Sequence, residues 1–202
     1  MDVHAVDIQP LPGFASPVHD SHSMFRAVLQ AMSHPGEVIS VDGLPDAPAP
    51  LNKVTAAICL SLVDFETPLW TDGEIAASGQ AVSHLRFHCG CPITPDPKAA
   101  RTALVSSVTQ MGELSRFNVG TEERPDQSTT VVIQVNGFGI GKGRRLSGPG
   151  IKTINRLDVL GADDAFWSSL RANALLFPCG IDVILTTENA VVCLPRTVQV
   201  EG

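Results

Sequence analysis

Charge is scarce in this chain. Of its 202 residues, 17% are charged, against about 25% in an average soluble domain. Hydrophobic residues make up an ordinary 44%. A low charge content leaves surface to be covered by neutral or apolar side chains, and such surface often marks a partner interface. The charge that is present sums to -7, which excludes non-specific nucleic-acid binding, since that needs a net basic face. No apolar run approaches the roughly 18 residues of a membrane helix. The opening stretch, Met1 to Pro10, carries acids and a proline instead of a basic-then-apolar leader. Together with an odd number of cysteines, five, this predicts reduced thiols in a cytoplasmic protein.

Also missing is any motif that announces a reaction. There is no Gly-x-Ser-x-Gly nucleophile turn. None of Lys53, Lys98, Lys142 and Lys152 stands in an apolar setting suited to a Schiff base. Cys59 and Cys193 sit inside apolar runs and read as packing residues, and nothing near Cys179 is placed to activate its thiol.

The length suits one domain with a sizeable core. Residues 1–18 contain Pro10, Pro12 and Pro17 and predict an extended arm, followed by a single domain over 19–202. Asp20 or Ser21 can cap a helix whose apolar stripe is Phe25, Val28, Leu29 and Met32, stopped by Pro35-Gly36. Glu37–Val41 reads as a strand and 42–50 as a proline-rich loop. Leu51, Val54, Ile58 and Leu62 repeat the helical spacing, Pro68–Thr71 suggests a short strand, and a short helix fits Ile75–Val82. Asp96–Met111 reads as a helix capped by Thr94 or Asp96, Thr129–Val135 as a strand, and Asp163–Leu175 as a helix. Ile151–Leu160 is ambiguous. Asp182–Thr186 and Ala190–Leu194 flank Thr187-Glu188-Asn189 and form a hairpin whose continuous apolar runs predict burial on both faces. Helices alternating with buried strands predict an α/β protein, a three-layer sandwich around a mixed sheet.

Three clusters carry possible chemistry. Gly137, Gly139, Gly141 and Gly143 follow the Thr129–Val135 strand, where backbone amides can cradle phosphate. Their strict alternation matches neither the Walker nor the dinucleotide spacing, and favours a flexible connection between strands. Around them Lys142, Arg144, Arg145, Lys152 and Arg156 gather five of the fourteen basic residues with no Asp or Glu between. That window is the candidate site for an anionic ligand or an acidic partner, with a solvated basic loop as the plain alternative. His84, His88, Cys89 and Cys91 are zinc-ligand types. Their spacing fits no zinc module, so Leu85–Cys89 reads as an alternating strand and no metal site is expected.

The compound motifs are more specific. Phe25–Leu29 leads into Ala31-Met32-Ser33-His34-Pro35-Gly36. Leu85-Arg86-Phe87-His88, Phe117–Thr121, Ser128–Val135 and Leu146-Ser147-Gly148-Pro149-Gly150-Ile151 follow. Leu176-Phe177-Pro178-Cys179-Gly180-Ile181-Asp182 and Leu194-Pro195-Arg196-Thr197 close the series. From about residue 14 to the C-terminus the chain resembles the PhnH subunits of the bacterial carbon–phosphorus lyase system of phosphonate metabolism. It departs at Cys89 and Cys91, where the family usually has threonine and a small residue, and this weakens a metal reading further. The resemblance implies a fold like the core of pyridoxal-phosphate transferases without that cofactor, and assembly with PhnG, PhnI and PhnJ subunits, often with self-association into a homodimer. It implies a supporting role in coupling a phosphonate to C1 of the ribose of ATP with loss of adenine, in which ATP or phosphonate contact is open. It supplies no catalytic residue, so the chain is expected not to be catalytic alone. The alternative is a stand-alone nucleotide- or phosphate-binding enzyme that uses the basic glycine-rich loop.

Overall fold

A computed structural model describes residues 9–201, without the side chains of 140–142. Residues 1–8 of the expected arm lie outside the described residues. Helix α1 (Pro17–Ser33) starts earlier than the sequence suggests. Pro17 occupies its first turn, where a missing N–H costs nothing, and the Asp20 carboxylate accepts the Ser16 N–H at 2.8 Å. Next come β1 (Ile39–Ser40), α2 (Lys53–Leu62), β2 (Leu69–Thr71), α3 (Gly73–Ala77) and α4 (Gly79–Cys89). The middle of the chain holds β3 (Thr102–Val105), β4 (Thr130–Gln134), β5 (Phe138–Ser147) and β6 (Asn155–Val159). The rest is α5 (Asp164–Ala174), β7 (Asp182–Thr186), β8 (Ala190–Leu194) and β9 (Gln199–Glu201).

The expected α/β architecture is present. Six strands form a mixed sheet in the order β1-β8-β7-β4-β3-β2, parallel from β7 to β2 and antiparallel at β8 and β1. A second, antiparallel sheet runs β6-β5-β9. Alternate residues of the large sheet feed two cores. Val131, Ile133, Val183, Leu185 and Leu194 pack with Phe166, Trp167 and Leu170 of α5 and with Leu146, Leu157 and Val200 of the small sheet. Val132, Ile184, Val191 and Cys193 pack with Met24 and Val28 of α1, Ile58 of α2 and Leu85 of α4. The hairpin expected at 182–194 is β7–β8, and both of its faces are buried.

Three expectations fail for physical reasons. The helix expected over Asp96–Met111 is a short 3-10 turn, then β3, then another 3-10 turn. Asp96 does cap, accepting the Lys98 N–H at 2.9 Å, but Thr102–Val105 gains more from parallel ladders on both sides. The strand expected at Leu85–Cys89 is the last part of α4. Ser78 accepts the Ala81 N–H at its start, and Gly90 closes it in the left-handed conformation, φ 65°. Third, the α1 stripe is rotated. Met24, Val28 and Ala31 face the core, Met32 is half-buried, and Phe25 and Leu29 face outward.

Arg196 ties the C-terminal motifs together. Its Nε and Nη2 donate to Asp182 at 3.2 and 2.5 Å, Nη1 to the Pro125 and Pro178 carbonyls at 2.7 and 3.4 Å, and Nη2 to Ser128 Oγ at 2.7 Å. Both charged groups are largely buried. Removing one partner strands the other, at a cost of about 3 kcal/mol. Arg196→Ala is therefore expected to lower denaturant stability by about that amount, with Arg196→Lys losing less. Urea melts that coincide with wild type would refute the assignment.

On α4, the rings of His84 and His88 lie 4.5 Å apart with their planes tilted by 57°, and His88 Nε2 meets the Leu11 carbonyl at 2.9 Å. Among the described residues, neither ring nitrogen of buried His84 has a hydrogen-bond partner. Burial first, then repulsion from His88, holds His84 below the ordinary histidine value. The unfolded chain takes up this proton near pH 6.5, and the folded chain only at lower pH. Stability from a neutral His84 is thus complete above about pH 6.5 and declines as pH falls through the window below it. Replacing His84 with Leu should shrink the drop in Tm between pH 7.5 and 5.5. An unchanged drop would show that other groups cause it.

Candidate functional site

Parallel strands end together, and in open α/β sheets ligands bind in the crevice outside their carboxyl ends. Here β2, β3, β4 and β7 end at Thr71, Val105, Gln134 and Thr186. Polar side chains at these ends hold neighbouring elements. Asp72 Oδ1 caps α3 through the Ile75 N–H at 3.0 Å, and its Oδ2 accepts from the Ser106 N–H and hydroxyl at 2.7 and 2.6 Å. Gln134 Oε1 accepts the Asn52 N–H at 2.5 Å, and its Nε2 donates to the Pro50 carbonyl at 2.8 Å. Asn52 caps α2 and donates Nδ2 to the Thr186 hydroxyl at 3.1 Å, and that hydroxyl also pairs with Thr55 at 2.7 Å. Beside this network lies a cleft of about 690 Å³ bordered by Asn52, Asn136, Thr187, Glu188 and Asn189.

The network joins; it does not activate. Ser106 Oγ is committed to Asp72 and lies 3.0 Å from Glu74 Oε2, with no imidazole bonded to it among the described residues. Ser33 does approach His34 Nδ1 at 2.9 Å, but both also bond the Gln30 carbonyl at the exposed end of α1. All five cysteines stand free, and burial pushes the Cys59 and Cys193 thiols up, away from thiolate character. Sequence reasoning passed over Asn52, Asp72, Ser106, Gln134 and Thr186. The available signal was the polar residue that ends each apolar strand run, as in Val131-Val132-Ile133-Gln134 and Val183-Ile184-Leu185-Thr186.

The basic window takes a shape its sequence does not suggest. Gly137–Gly143 is mostly the start of β5 instead of a loose connection. Its register against β6 shifts between Gly139 and Arg144. A Cβ on Gly139 would strike the Asp158 carboxylate, and one on Gly143 would strike the backbone of Leu157 and Asp158, so close strand approach explains these two glycines. Arg145 lies opposite Arg156 on β6 and Glu201 on β9. Like charges directly opposed are unfavourable; here Glu201 offsets them, accepting from Arg145 Nε at 3.0 Å. Arg144 pairs with Asp164 at the start of α5, and among the described residues Arg156 Nη1 reaches the Gly143 carbonyl at 3.5 Å.

Arg144, Arg145 and Arg156 thus line one recess of about 450 Å³ with Asp158, Glu201 and Trp167. Exposed Lys152 lies in the loop before β6, outside that lining. The Lys142 side chain lies outside the described residues. The run without acids is therefore a mixed-charge surface in space. Its arginines keep the forked geometry that suits carboxylate or phosphate.

Comparison with known proteins supplies what the geometry does not. The family model described as "Bacterial phosphonate metabolism protein (PhnH)" matches residues 12–201. The chain is 35% identical over 188 residues to a protein of Rhizobium meliloti named alpha-D-ribose 1-methylphosphonate 5-triphosphate synthase subunit PhnH, covering 93% of this chain and 94% of that one. It is 31% identical over 177 residues to the putative C-P lyase subunit protein HtxG of Stutzerimonas stutzeri, covering 87% and 83%.

Proposed function

Because the chain belongs to the PhnH family of bacterial phosphonate metabolism proteins, we propose that it is a non-catalytic subunit of a carbon–phosphorus lyase core complex. In this reading it works in the cytoplasm, assembles with PhnG, PhnI and PhnJ subunits, and forms a homodimer. It supports transfer of a phosphonate to C1 of the ribose of ATP, with release of adenine. The observation that carries the reading is the match, over nearly its whole length, to a relative whose name is that of a synthase subunit.

The geometry supports a supporting role. The polar groups at the strand ends bond one another instead of forming a nucleophile, base and orienter set. Large apolar side chains, among them Val18, Phe25, Phe65, Phe87, Leu175 and Phe177, point outward. The likeness to a transferase core without pyridoxal phosphate belongs to the same proposal. Lys53 is engaged by Asp46 at 2.7 Å, and Lys98 by the carbonyls of Ser115 and Phe117 at 2.6 Å, so neither is poised for a Schiff base. The proposed organisation is a short N-terminal arm and one α/β domain, supported by a single large sheet that serves both cores.

Arg144, Arg145 and Arg156, flanked in sequence by Lys142 and Lys152, are the proposed contact for an anion or an acidic partner. The pairs to Asp164 and Glu201 are solvent-exposed, and such pairs are worth about 1 kcal/mol or less. An incoming carboxylate or phosphate can therefore displace them.

Two tests follow. The purified chain, given ATP and methylphosphonate, should release no adenine, while the complex containing it should. Turnover by the chain alone at the rate of the complex would make it a stand-alone enzyme. The double variant Arg144→Ala/Arg145→Ala should lose co-purification with the sister subunits if the face binds protein. It should keep assembly but bind ATP more weakly if the face binds phosphate. No change in either would leave the window a solvated surface.

A further inference from the structure

A cavity of about 710 Å³ runs beside α5 and takes no part in the reading above. One wall is the pair of 3-10 turns that follow β3, from Val108 to Ser115. The other is Ala165, Ser169, Ala172 and Leu176, which fall along one side of α5 and the turn after it. The floor is apolar and buried: Met111, Leu114 and Phe166. None of the residues that border this cavity borders the arginine recess or the cleft at the strand ends. Its volume lies within the ~300–1,000 Å³ of small-molecule sites, which are mainly apolar with a few placed polar groups.

Hydrogen bonding says what those polar groups offer. Ser169 Oγ accepts the Leu114 N–H at 3.1 Å, and Ser168 Oγ accepts from Arg171 Nη2 at 2.8 Å. Helical serines elsewhere in the chain send their protons back to the preceding turn, Ser21 to the Pro17 carbonyl at 2.6 Å and Ser61 to the Ala57 carbonyl at 2.8 Å. Ser168 and Ser169 do not, so among the described residues their hydroxyl protons have no acceptor. Ser168 is exposed and can give its proton to water; Ser169 is half-buried in the cavity wall. A molecule seated there meets a donor that has already spent its acceptor side.

Charge narrows the choice. Among the described residues that border the cavity there is no lysine or arginine, and the carboxylates are Glu113 and Asp163. Both are engaged, Glu113 Oε2 by the Ser115 hydroxyl at 3.1 Å and Asp163 Oδ1 by the Phe166 N–H at 2.9 Å. Arg116, close to Gly112, is held over the Trp70 ring at 4.6 Å and on the Met111 carbonyl at 3.5 Å. An anion would meet carboxylates without a counter-charge, and any charged group would lose hydration without gaining a partner. We propose that the cavity beside α5 is a binding site for an uncharged small molecule with an apolar body and an acceptor oxygen, which takes the Ser169 hydroxyl proton. The site is separate from the anion contact proposed at Arg144, Arg145 and Arg156, and it does not depend on the subunit reading.

The test is a fluorescence titration of the full chain with the uncharged naphthyl ketone prodan, whose carbonyl oxygen is an acceptor. One prodan per chain should bind, with a Kd on the order of 50 μM. Ala165 and Ala172 are exposed, so tryptophan at either should fold, as circular dichroism melts would confirm, and fill one end of the cavity. Ala165→Trp and Ala172→Trp should each weaken binding about tenfold or more. Ser169→Ala should weaken it about fivefold and move the bound emission to shorter wavelength, because a hydrogen bond to the carbonyl is lost. Leu175→Ser, on the 83% exposed residue beside the cavity, should change nothing. The anionic dye anilinonaphthalene sulfonate should bind more weakly than prodan. Binding that survives both tryptophan variants, or that Leu175→Ser abolishes, would be adventitious contact with exposed apolar surface and would overturn the proposal. An unshifted emission in Ser169→Ala, or tighter binding of the anionic dye, would overturn the assigned ligand class. Loss of the prodan site in the assembled complex would overturn the small-molecule role, since a sister subunit would then fill the cavity.

Discussion

The structure depends on one requirement: the large sheet is apolar on both faces and must be covered twice. Val131, Ile133, Val183 and Leu185 demand one layer, and Val132, Ile184, Val191 and Cys193 demand another. Alternation along a strand makes the two demands inseparable, because no shift in register can satisfy one face alone. The helical layer of α1, α2 and α4 answers the second. The first is met by α5 with the small sheet, which explains why β5, β6 and β9 exist as a separate ribbon. At the strand ends, where cover stops, polar residues take over. Gln134 and Thr186 finish apolar runs and bond to Asn52 and Thr55, pinning α2 across the end of the sheet.

The family motifs acquire a meaning in this frame. Ser33–Gly36 and Leu146–Gly150 are distant in sequence but meet where α1 turns into the sheet. A Cβ on Gly36 would come within 2.5 Å of Leu146 Cδ1, and one on Gly150 would strike the Ser33 carbonyl. The glycine at each place is a condition of contact, reinforced by positive φ values of 78° and 83°. Likewise Phe177–Asp182 and Leu194–Thr197 are joined by the bonds of Arg196 to Asp182 and the Pro178 carbonyl. These motifs join segments that lie apart in the sequence. That is why they identify a family so well and a reaction so poorly.

How far the sequence could be read follows from where the deciding contacts lie. Hairpin β7–β8 and helices α2 and α5 were legible because their signals are local: continuous β-branched runs, or apolar residues repeating at helical spacing. β3 was not, because its reward is two parallel neighbours far away in sequence. Helix α4 was hidden by His84, His88 and the cysteines, which mimic strand alternation over a few residues, while its real signals were Ser78 and Gly90 outside that window. The basic window was legible in content but not in charge balance. Asp164 and Glu201 lie 20 or more residues from the arginines they pair with, and only the fold brings them back.

The scarcity of charge and the rotation of α1 belong together. A helix face that meets water is usually polar, and a chain with few charged residues has little with which to make it so. On α1 the expected stripe of Phe25, Val28, Leu29 and Met32 combined residues from two faces, because both faces are apolar and lie about 100° apart. Burial against the sheet could be satisfied by either set. Met24, Val28 and Ala31 are used, in the core they share with Val191 and Cys193 of β8. Phe25 and Leu29 remain outside as a second apolar seam.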